Sequence, residues 1–323
     1  MGCISSKDQE LKHDQHIKRV IDARKKEEER TYKVLLLGPG ESGKSTVFRQ
    51  MMINYGSGFS EEERGSFVPL IRSGIIKSLA ILSTAGPELI KDPAVKFDPE
   101  SLPHIKWILE VKDSLLQISP ELVASIKALW RDPAMQALVD KYLARFHIPE
   151  SISYFVGRID EIARKEYIPS NEDLIRLRVR TTGIVQSTFS MDGHSFKIID
   201  MGGQRSERKK WVQQFDSVTG ILFVAAASEY DQVVWEAEGE NRMIEALTVF
   251  REVVQNPVFK KTTIVLFLNK ADLFEIKAQR VSLSSCFPDW EAKNDGDVEA
   301  AWKFLQKKFL EIAVVSNSHS SLS

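Results

Sequence analysis

The chain has 323 residues, of which 43% are hydrophobic and 28% charged, and its formal net charge at pH 7 is −1. This size predicts a soluble globular protein with enough apolar material for one large core or two smaller ones. The balanced charge argues against a nucleic-acid binder that works through bulk positive charge. Two cysteines exclude a disulfide framework and favour a reducing compartment.

No uninterrupted apolar run approaches the roughly 20 residues that cross a bilayer. The longest runs, ILFVAAA and IVLFL, have the length of strands. The N-terminus also lacks the apolar core of a secretory signal. From this pattern we expect neither a membrane-spanning helix nor a signal peptide.

The chain begins MGCISSKD, a pattern that predicts lipid attachment. Gly2 and Ser6 fit the N-myristoylation motif, and Cys3 is placed to take a palmitoyl chain. A single myristoyl chain binds membranes only marginally, so the second acyl site would make anchoring durable. The alternative is an ordinary disordered terminus.

Residues 8–30 carry alternating charges and predict an N-terminal helix. One interpretation is a solvated helix with many ion pairs, and the other is a partner-binding helix beside a lipid anchor. The apolar residues at helical spacing are Leu11, Ile17, Val20, Ile21 and Ala23.

Residues 38–45 fit the phosphate-loop pattern G-x-x-x-x-G-K-[ST], after an apolar strand at 32–37 and before a helix from 46. Glycines let backbone N–H groups approach phosphate oxygens, and the helix N-terminus adds a favourable dipole. In this pattern Lys44 reaches the β- and γ-phosphates, and the Ser45 hydroxyl binds Mg²⁺. The predicted nucleotide contacts here are Gly40, Glu41, Ser42, Gly43, Lys44, Ser45 and Thr46.

A second strand, within 262–268, runs into Asn269-Lys270-Ala271-Asp272. A carboxylate can accept two hydrogen bonds from the N1–H and N2–H₂ groups of guanine, and adenine offers no such pair. A site built on this pairing rejects the wrong base because its buried acceptor would stay unmatched. Asn269, Lys270 and Asp272 therefore predict GTP or GDP as the ligand and disfavour an ATPase or kinase.

A third strand begins at His194 and ends in Asp200, and Gly202-Gly203-Gln204 follows it. We expect Asp200 to bind Mg²⁺ through water, Gly203 to offer its N–H to the γ-phosphate, and Gln204 to orient the attacking water. Upstream, Thr181 is placed to complete the Mg²⁺ shell.

The motifs GESGKST, RxRTTGI, DMGGQRSERKKW and NKAD, behind an MGC start, resemble the α subunits of heterotrimeric G proteins from residue 1 to about 310. The resemblance implies an α/β fold: a P-loop GTPase domain with a mostly parallel sheet flanked by helices, an inserted all-α domain and an N-terminal helix. It also implies that Arg178 is a catalytic arginine supplied within the chain, with Gln204 as its catalytic partner. Glu41 would pair with Arg178 when GDP is bound, and residues 204–212 would form the second switch. Further implied nucleotide contacts are Ser151, Leu177, Arg178, Thr181 and Gly203.

The implied domains are an N-terminal lipidated helix at 1–31, a discontinuous GTPase domain at 32–56 and 176–315, an all-helical insertion at 57–175, and a disordered tail at 316–323. The insertion has no strand-like alternation, and Pro120, Pro133 and Pro149 separate its helical segments. Its expected role is a lid that slows nucleotide escape; an inert insertion is the alternative.

The end of the chain departs from the family pattern. Trp302, Leu305, Phe309 and Ile312 predict an amphipathic helix, but the strand, Thr-Cys-Ala loop and long helix that the family would place next do not follow. We therefore expect lost receptor coupling, weaker nucleotide retention, and an apolar sheet edge at 262–268. Gly239 also interrupts the acidic run at 235–243 that corresponds to a third switch.

Two functional hypotheses follow. The first is a GTP-hydrolysing signal transducer, lipid-anchored at the cytoplasmic face of the plasma membrane, with GTP or GDP and Mg²⁺ as cofactors. Its implied partners are a βγ dimer, a G-protein-coupled receptor and an unidentified effector, without nucleic acid. The alternative is a truncated, non-hydrolysing form that acts only by binding βγ or membrane.

Overall fold

A computed structural model describes residues 18, 31–90, 95–111, 117–143, 146–234 and 239–319. The predicted acylation sites Gly2 and Cys3, and all of the predicted N-terminal helix except Lys18 and Thr31, lie outside the described residues.

Within the described residues, a five-stranded mixed sheet forms the centre of the part of the chain that carries the predicted motifs. The strand order is β2-β3-β1-β4-β5, with β2 antiparallel to β3 and the other neighbours parallel. The central strands are nearly continuous apolar runs because helices cover both faces of such sheets. The strands are β1 (Thr31–Leu37), β2 (Ile184–Met191), β3 (His194–Met201), β4 (Gly220–Ala226) and β5 (Thr263–Asn269).

The register of the sheet brings three predicted motifs to one edge. Leu36 of β1 lies opposite Asp200 of β3 and Leu222 of β4, so the carboxyl ends of these parallel strands are level. The phosphate loop, the Gly-Gly-Gln turn and the Asn-Lys-Ala-Asp turn all follow such strand ends. Ligands of α/β sheets bind outside the carboxyl ends of the strands, so this edge is where a site is expected.

Helix α1 (Lys44–Tyr55) follows the phosphate loop and packs on one face of the sheet. Its Phe48 joins a small apolar cluster with Leu36 and Ile198. This packing fixes the first turn of α1 relative to β1 and β3, and therefore fixes Lys44 and Ser45 relative to Asp200.

Between α1 and β2 the described residues form helices and no strand, as predicted for the insertion. Ser119 caps one of these helices through a bond from Leu122 N–H to its Oγ (3.3 Å), with Pro120 in the first helical position. The side chain of Asp132 caps the next helix in the same way. The helices are α2 (Glu61–Leu89), α3 (Leu102–Val111), α4 (Pro120–Arg131), α5 (Pro133–Tyr142), α6 (Ile152–Gly157), α7 (Ile159–Ile162) and α8 (Asn171–Arg176).

The insertion has its own hydrophobic core. Apolar residues of its helices are fully or nearly fully buried there, including Leu122, Ile126, Leu129, Met135 and Leu138. This cluster shares no buried residue with the cluster beneath the sheet. The mostly parallel sheet with a helical insertion confirms the predicted fold class.

Helix α2 contains a 24-residue segment, Glu61–Thr84, that is long and apolar enough to cross a membrane, with a mean hydropathy of 1.4. This segment contains no long uninterrupted apolar run, because Arg72 and Lys77 lie within it. Its Ile75, Ile76 and Leu79 are at most 2% exposed and sit in the core of the insertion. These contacts are those of a core helix.

Four helices follow β3: α9 (Arg205–Arg208), α10 (Arg242–Val254), α11 (Ala271–Ala278) and α12 (Val298–His319). The predicted amphipathic helix is α12, in which Leu305 and Phe309 are fully buried. The Phe309 ring packs against Phe250 of α10, with centroids 5.3 Å apart. The sequence also predicted a disordered tail from residue 316, which is wrong for 316–319: α12 continues to His319, because the chain beyond Val298 contains no Gly or Pro to end it.

The β5 strand lies at an edge of the described sheet, as predicted for 262–268. Val265 and Phe267 are 52% and 41% exposed, respectively. The face of the sheet next to α1 therefore ends in an apolar strip at β5.

The packing of α12 predicts unequal effects at neighbouring positions. Phe309→Ala should lower the free energy of unfolding by about 3–5 kcal/mol, because it leaves a cavity against α10. Leu310→Ala, at a side chain that is 60% exposed, should change it by less than about 0.5 kcal/mol. Urea unfolding at one fixed GDP concentration measures both, and similar losses at the two positions would contradict this packing.

Candidate functional site

The phosphate loop is wrapped around the ammonium group of Lys44. The side chain is 5% exposed, and its Nζ donates to the carbonyl oxygens of Gly38 (3.0 Å) and Pro39 (2.7 Å). Burial lowers the pKa of Lys44 to about 8, with the Asp200 carboxylate partly opposing the shift. A buried cation held by neutral carbonyl groups, at the N-terminus of α1, is suited to an anionic ligand.

Two positions in the motifs require glycine because other atoms lie too close to the backbone to leave room for a side chain. Gly43 has φ +96°, and a Cβ there would lie 2.0 Å from Nδ2 of Asn269. A Cβ on Gly203 would lie 2.2 Å from Nζ of Lys44 and 2.5 Å from the Gly38 carbonyl oxygen. The turns after β3 and β5 therefore both contact the phosphate loop, as the sequence predicted.

The Asn-Lys-Ala-Asp turn is tied to the phosphate loop through its first residue. Asn269 Nδ2 donates to the carbonyl oxygen of Ser42 at 2.9 Å. Lys270 adopts a left-handed conformation (φ +59°) and forms an ion pair with Glu229. Asp272 lies in the first turn of α11 with an exposed side chain, so its carboxylate is accessible to a ligand.

The predicted Mg²⁺ ligands come together beside Lys44. Ser45 Oγ and Thr181 Oγ1 are 2.5 Å apart, and Thr181 Oγ1 donates to Asp200 Oδ2 at 3.4 Å. Asp200 is 1% exposed, and its Oδ1 has no hydrogen-bond partner among the described residues. Burial raises the pKa of this carboxyl, although Ser45 and Lys44 oppose the shift. Two hydroxyls and a carboxylate with a free buried oxygen are hard oxygen donors of the kind that Mg²⁺ binds, often through water.

Arg178 lies at the phosphate loop, paired with Glu41 as the resemblance implied. Its Nη1 also donates to the His147 carbonyl oxygen at 2.7 Å. Burial raises the pKa of Glu41, but the guanidinium groups of Arg178 and Arg242 outweigh it, and the net shift is downward. The lowered pKa favours the ionised form of Glu41, which pairs with both guanidinium groups.

Gln204 precedes α9 and faces the phosphate loop. A Cβ on Gly40 would lie 3.1 Å from its Cγ. Its Oε1 is buried and has no hydrogen-bond partner within the described ranges. Gln204 lines a cavity of about 20 Å³ together with Glu41, Arg208 and Arg242, and this volume accommodates one water molecule.

A charged network at the same place was not found from the sequence. Arg242, which is 8% exposed, pairs with Glu41 and with Glu229 (3.3 Å) and lies 3.3 Å from Nδ1 of His147. His147 belongs to the insertion, so this network joins the insertion to the phosphate loop. Burial is the main cause that lowers the pKa of the His147 imidazole, and the positive charge of Arg242 lowers it further. Both favour the neutral form of the imidazole. Nothing in the sequence separates Arg242 from the other 43 Lys and Arg residues.

Helix α10 also holds the turn after β3. Arg208 donates from Nε to the Gly203 carbonyl oxygen (2.9 Å) and pairs with Glu245 of α10 (2.7 Å). Trp211 Nε1 donates to the Gly202 carbonyl oxygen at 2.9 Å. No local pattern in the sequence indicates these contacts, and only the family resemblance identifies residues 204–212 as the second switch.

Two predicted nucleotide contacts have partners in the insertion. Ser151 Oγ donates to the carbonyl oxygen of Arg176 at 2.9 Å. The side chain of Leu177 is 6% exposed and packs in the core of the insertion. The structure therefore places both residues beside the segment that carries Arg178, without a contact to the phosphate loop among the bonds described.

Comparison with known proteins gives one consistent result. The family model described as G-protein alpha subunit matches residues 11–322. The guanine nucleotide-binding protein alpha-1 subunit of Solanum lycopersicum is 36% identical over 328 residues, covering 94% of this chain and 83% of the relative. The alpha-4 subunit of Dictyostelium discoideum is 39% identical, covering 95% and 87%, and the alpha-3 subunit of Neurospora crassa is 37% identical, covering 96% and 88%.

Proposed function

The chain belongs to the G-protein alpha subunit family, and we propose that it is a switch that hydrolyses GTP with Arg178 and Gln204. Members of this family bind guanine nucleotides, hydrolyse GTP and act in signal transduction. One observation carries the proposal. Lys44, Gly203 and Asn269, which belong to three motifs that are far apart in the sequence, meet at the phosphate loop.

The nucleotide contacts are proposed from the same geometry. The phosphates would lie against Lys44 and the N–H groups of the loop, where the carbonyls of Gly38 and Pro39 now take the ammonium hydrogens. The base would lie at the turn after β5, where Asp272 accepts from guanine. The remaining proposed contacts are Gly40, Glu41, Ser42, Gly43, Ser45, Thr46, Ser151, Leu177, Arg178, Thr181, Gly203, Asn269 and Lys270.

We assign Ser45, Thr181 and, through water, Asp200 as the residues that hold Mg²⁺. The unpartnered Oδ1 of Asp200 and the adjacent hydroxyls of Ser45 and Thr181 support this assignment. When bound, the metal ion neutralises charge on the phosphate oxygens.

Arg178 and Gln204 have different tasks in the proposed reaction. Arg178 stabilises charge on the phosphoryl group that is transferred, and an arginine in this role accelerates hydrolysis by about 10³–10⁵-fold. To do so it must leave its pair with Glu41. The amide of Gln204 faces a cavity large enough for one water and can orient that water for attack.

A single-turnover assay tests this assignment. Purified chain loaded with radiolabelled GTP should release phosphate, and Arg178→Lys or Gln204→Leu should slow the release by at least about 100-fold. Both variants should still bind the non-hydrolysable analogue GTPγS. Arg280→Lys, at an exposed position beyond the C-terminal end of α11 and outside the predicted motifs, serves as the control and should keep the normal rate.

A wild-type chain that hydrolyses GTP no faster than Gln204→Leu would contradict the proposal. That result, with GTPγS binding retained, would instead favour the non-hydrolysing alternative, a chain that acts only by binding partners.

The N-terminal residues extend the proposal to the membrane. We propose that Gly2 carries a myristoyl group and Cys3 a palmitoyl group, and that the two chains hold the protein at the cytoplasmic face of the plasma membrane. A βγ dimer, bound by the N-terminal helix and residues 204–212 in the GDP state, is the proposed partner. The motif at MGC and the family membership support these assignments.

Vesicle recruitment tests the anchor and the partner together. Chain co-expressed with an N-myristoyltransferase should bind vesicles that carry a βγ dimer more tightly with GDP than with GTPγS, and bare vesicles only weakly. Gly2→Ala should lose binding to both vesicle types by about tenfold or more, whereas Ser5→Ala should not. Equal binding of Gly2→Ala and wild type would refute the anchor, and nucleotide-independent binding would refute the βγ assignment.

A further inference from the structure

Helix α1 carries a second buried cation that the proposed mechanism does not use. Arg49 lies one turn beyond Ser45 and is 6% exposed. Its Nη1 donates to the carbonyl oxygens of Leu174 and Leu177, the latter at 2.7 Å. No ion pair of the described residues includes Arg49, so carbonyl groups supply its direct partners. Because burying a charge is costly unless it is well hydrogen-bonded, these two bonds hold the side chain firmly.

The two carbonyl groups lie at the C-terminal end of α8 (Asn171–Arg176). The last carbonyls of a helix lack partners within the helix and carry the negative end of its dipole, so a cation is favourable there. Arg49 therefore caps α8 from a different helix. A short helix of this kind can be held rigidly only if its other end is also fixed.

The N-terminal end of α8 is fixed inside the insertion. Ser170 and Asp173 form a reciprocal capping box. Asp173 is fully buried and also accepts from Tyr154 (2.9 Å) and Arg158. Arg49 consequently ties α1 to an element that the insertion already holds in place.

The residues after Leu177 are those that meet the phosphate loop. Arg178 is the next residue and pairs with Glu41, and three positions after Arg178 the hydroxyl of Thr181 contacts that of Ser45 at 2.5 Å. The backbone from Leu177 to Thr181 is thus attached to α1 at both ends, through Arg49 and through Ser45. Its position over the first turn of α1 depends on both attachments.

We propose that Arg49 is a positioning residue for GTP hydrolysis: by holding the Leu177 carbonyl, it fixes the point from which Arg178 reaches the nucleotide. The inference rests on the proposed catalytic role of Arg178. The hydrogen bonds of the Arg49 guanidinium go to the carbonyl groups of Leu174 and Leu177, so its effect on the rate would pass through the position of Arg178.

Arg72 provides a matched control in the same chain. It is 5% exposed and donates from Nε to the Ile162 carbonyl oxygen (3.0 Å) and from Nη2 to that of Arg164 (2.8 Å). Arg72 therefore also has a buried guanidinium that holds carbonyl groups of the insertion, but these carbonyls are not adjacent to Arg178. Replacing Arg72 therefore tests the loss of a buried arginine while the bond from Arg49 to the Leu177 carbonyl is kept.

A double-mutant cycle on single-turnover hydrolysis separates positioning from folding. Arg49→Met should slow hydrolysis by about tenfold in the wild-type background and by less than about twofold in the Arg178→Lys background. Arg72→Met should change the rate by less than about twofold in both. Arg49→Lys, which retains a cation that can donate to a carbonyl, should recover part of the loss. All rates are taken per mole of chain that binds GTPγS, so a poorly folding variant does not mimic a slow one.

Equal slowing by Arg49→Met in both backgrounds would overturn the inference, because the effect would then bypass Arg178. If Arg49→Met binds too little GTPγS to measure, the same cycle is carried out with Arg49→Lys. We then expect Arg49→Lys to slow hydrolysis less in the Arg178→Lys background than in the wild-type background. Equal slowing in both backgrounds would overturn the inference. Normal hydrolysis by Arg49→Met with slow hydrolysis by Arg178→Lys would refute only this inference. Equal rates for wild type and Arg178→Lys would refute the proposed function itself.

Discussion

The site depends on one buried charge, the ammonium group of Lys44. Its contacts with the carbonyls of Gly38 and Pro39 close the phosphate loop around it, and its Nζ leaves no room for a side chain at residue 203. A cation in such surroundings is stabilised only in part by neutral dipoles, and its lowered pKa reflects the deficit. A phosphate group would remove that deficit. The strand ends that supply Asp200 and Asn269 meet at the phosphate loop, beside the Lys44 ammonium group.

A second constraint is that charged groups join the insertion to the loop. Glu41 accepts from both Arg178 and Arg242, and Arg242 reaches His147 in the insertion. The two apolar clusters have no buried residue in common. An interface built from ion pairs and hydrogen bonds can separate at lower cost than an apolar one, because water replaces the lost partners. The contact between the insertion and the phosphate loop is therefore made by polar groups, and the bonds from Arg49 to the carbonyls of Leu174 and Leu177 attach the segment before Arg178 to α1.

The sequence predicted those parts whose chemistry is local. Gly43, Lys44 and Gly203 belong to short motifs that follow strands, and the 3.6-residue period of apolar residues identified α12. The strand β2 was not predicted, because most of IVQSTFSM is exposed and its apolar residues do not alternate regularly. The signals that could have identified it are Gly183 before the strand and Asp192-Gly193, a pair typical of two-residue hairpin turns, between β2 and β3. The roles of Arg49 and Arg242 could not be predicted either. In a chain with 44 basic and 45 acidic residues, burial of a particular charge is decided by tertiary contacts across more than 100 positions, which leave no local pattern.

Competition for the nucleotide site tests the central claim, that Lys44 and the turn after β5 form one pocket for a guanine nucleotide. Fluorescent GDP bound to the purified chain is displaced by increasing GTP or by increasing ATP, at fixed Mg²⁺ concentration. The structure predicts displacement by GTP at concentrations at least about a thousandfold lower than by ATP, since adenine leaves the carboxylate of Asp272 unmatched. Displacement by both at the same concentration would contradict the account.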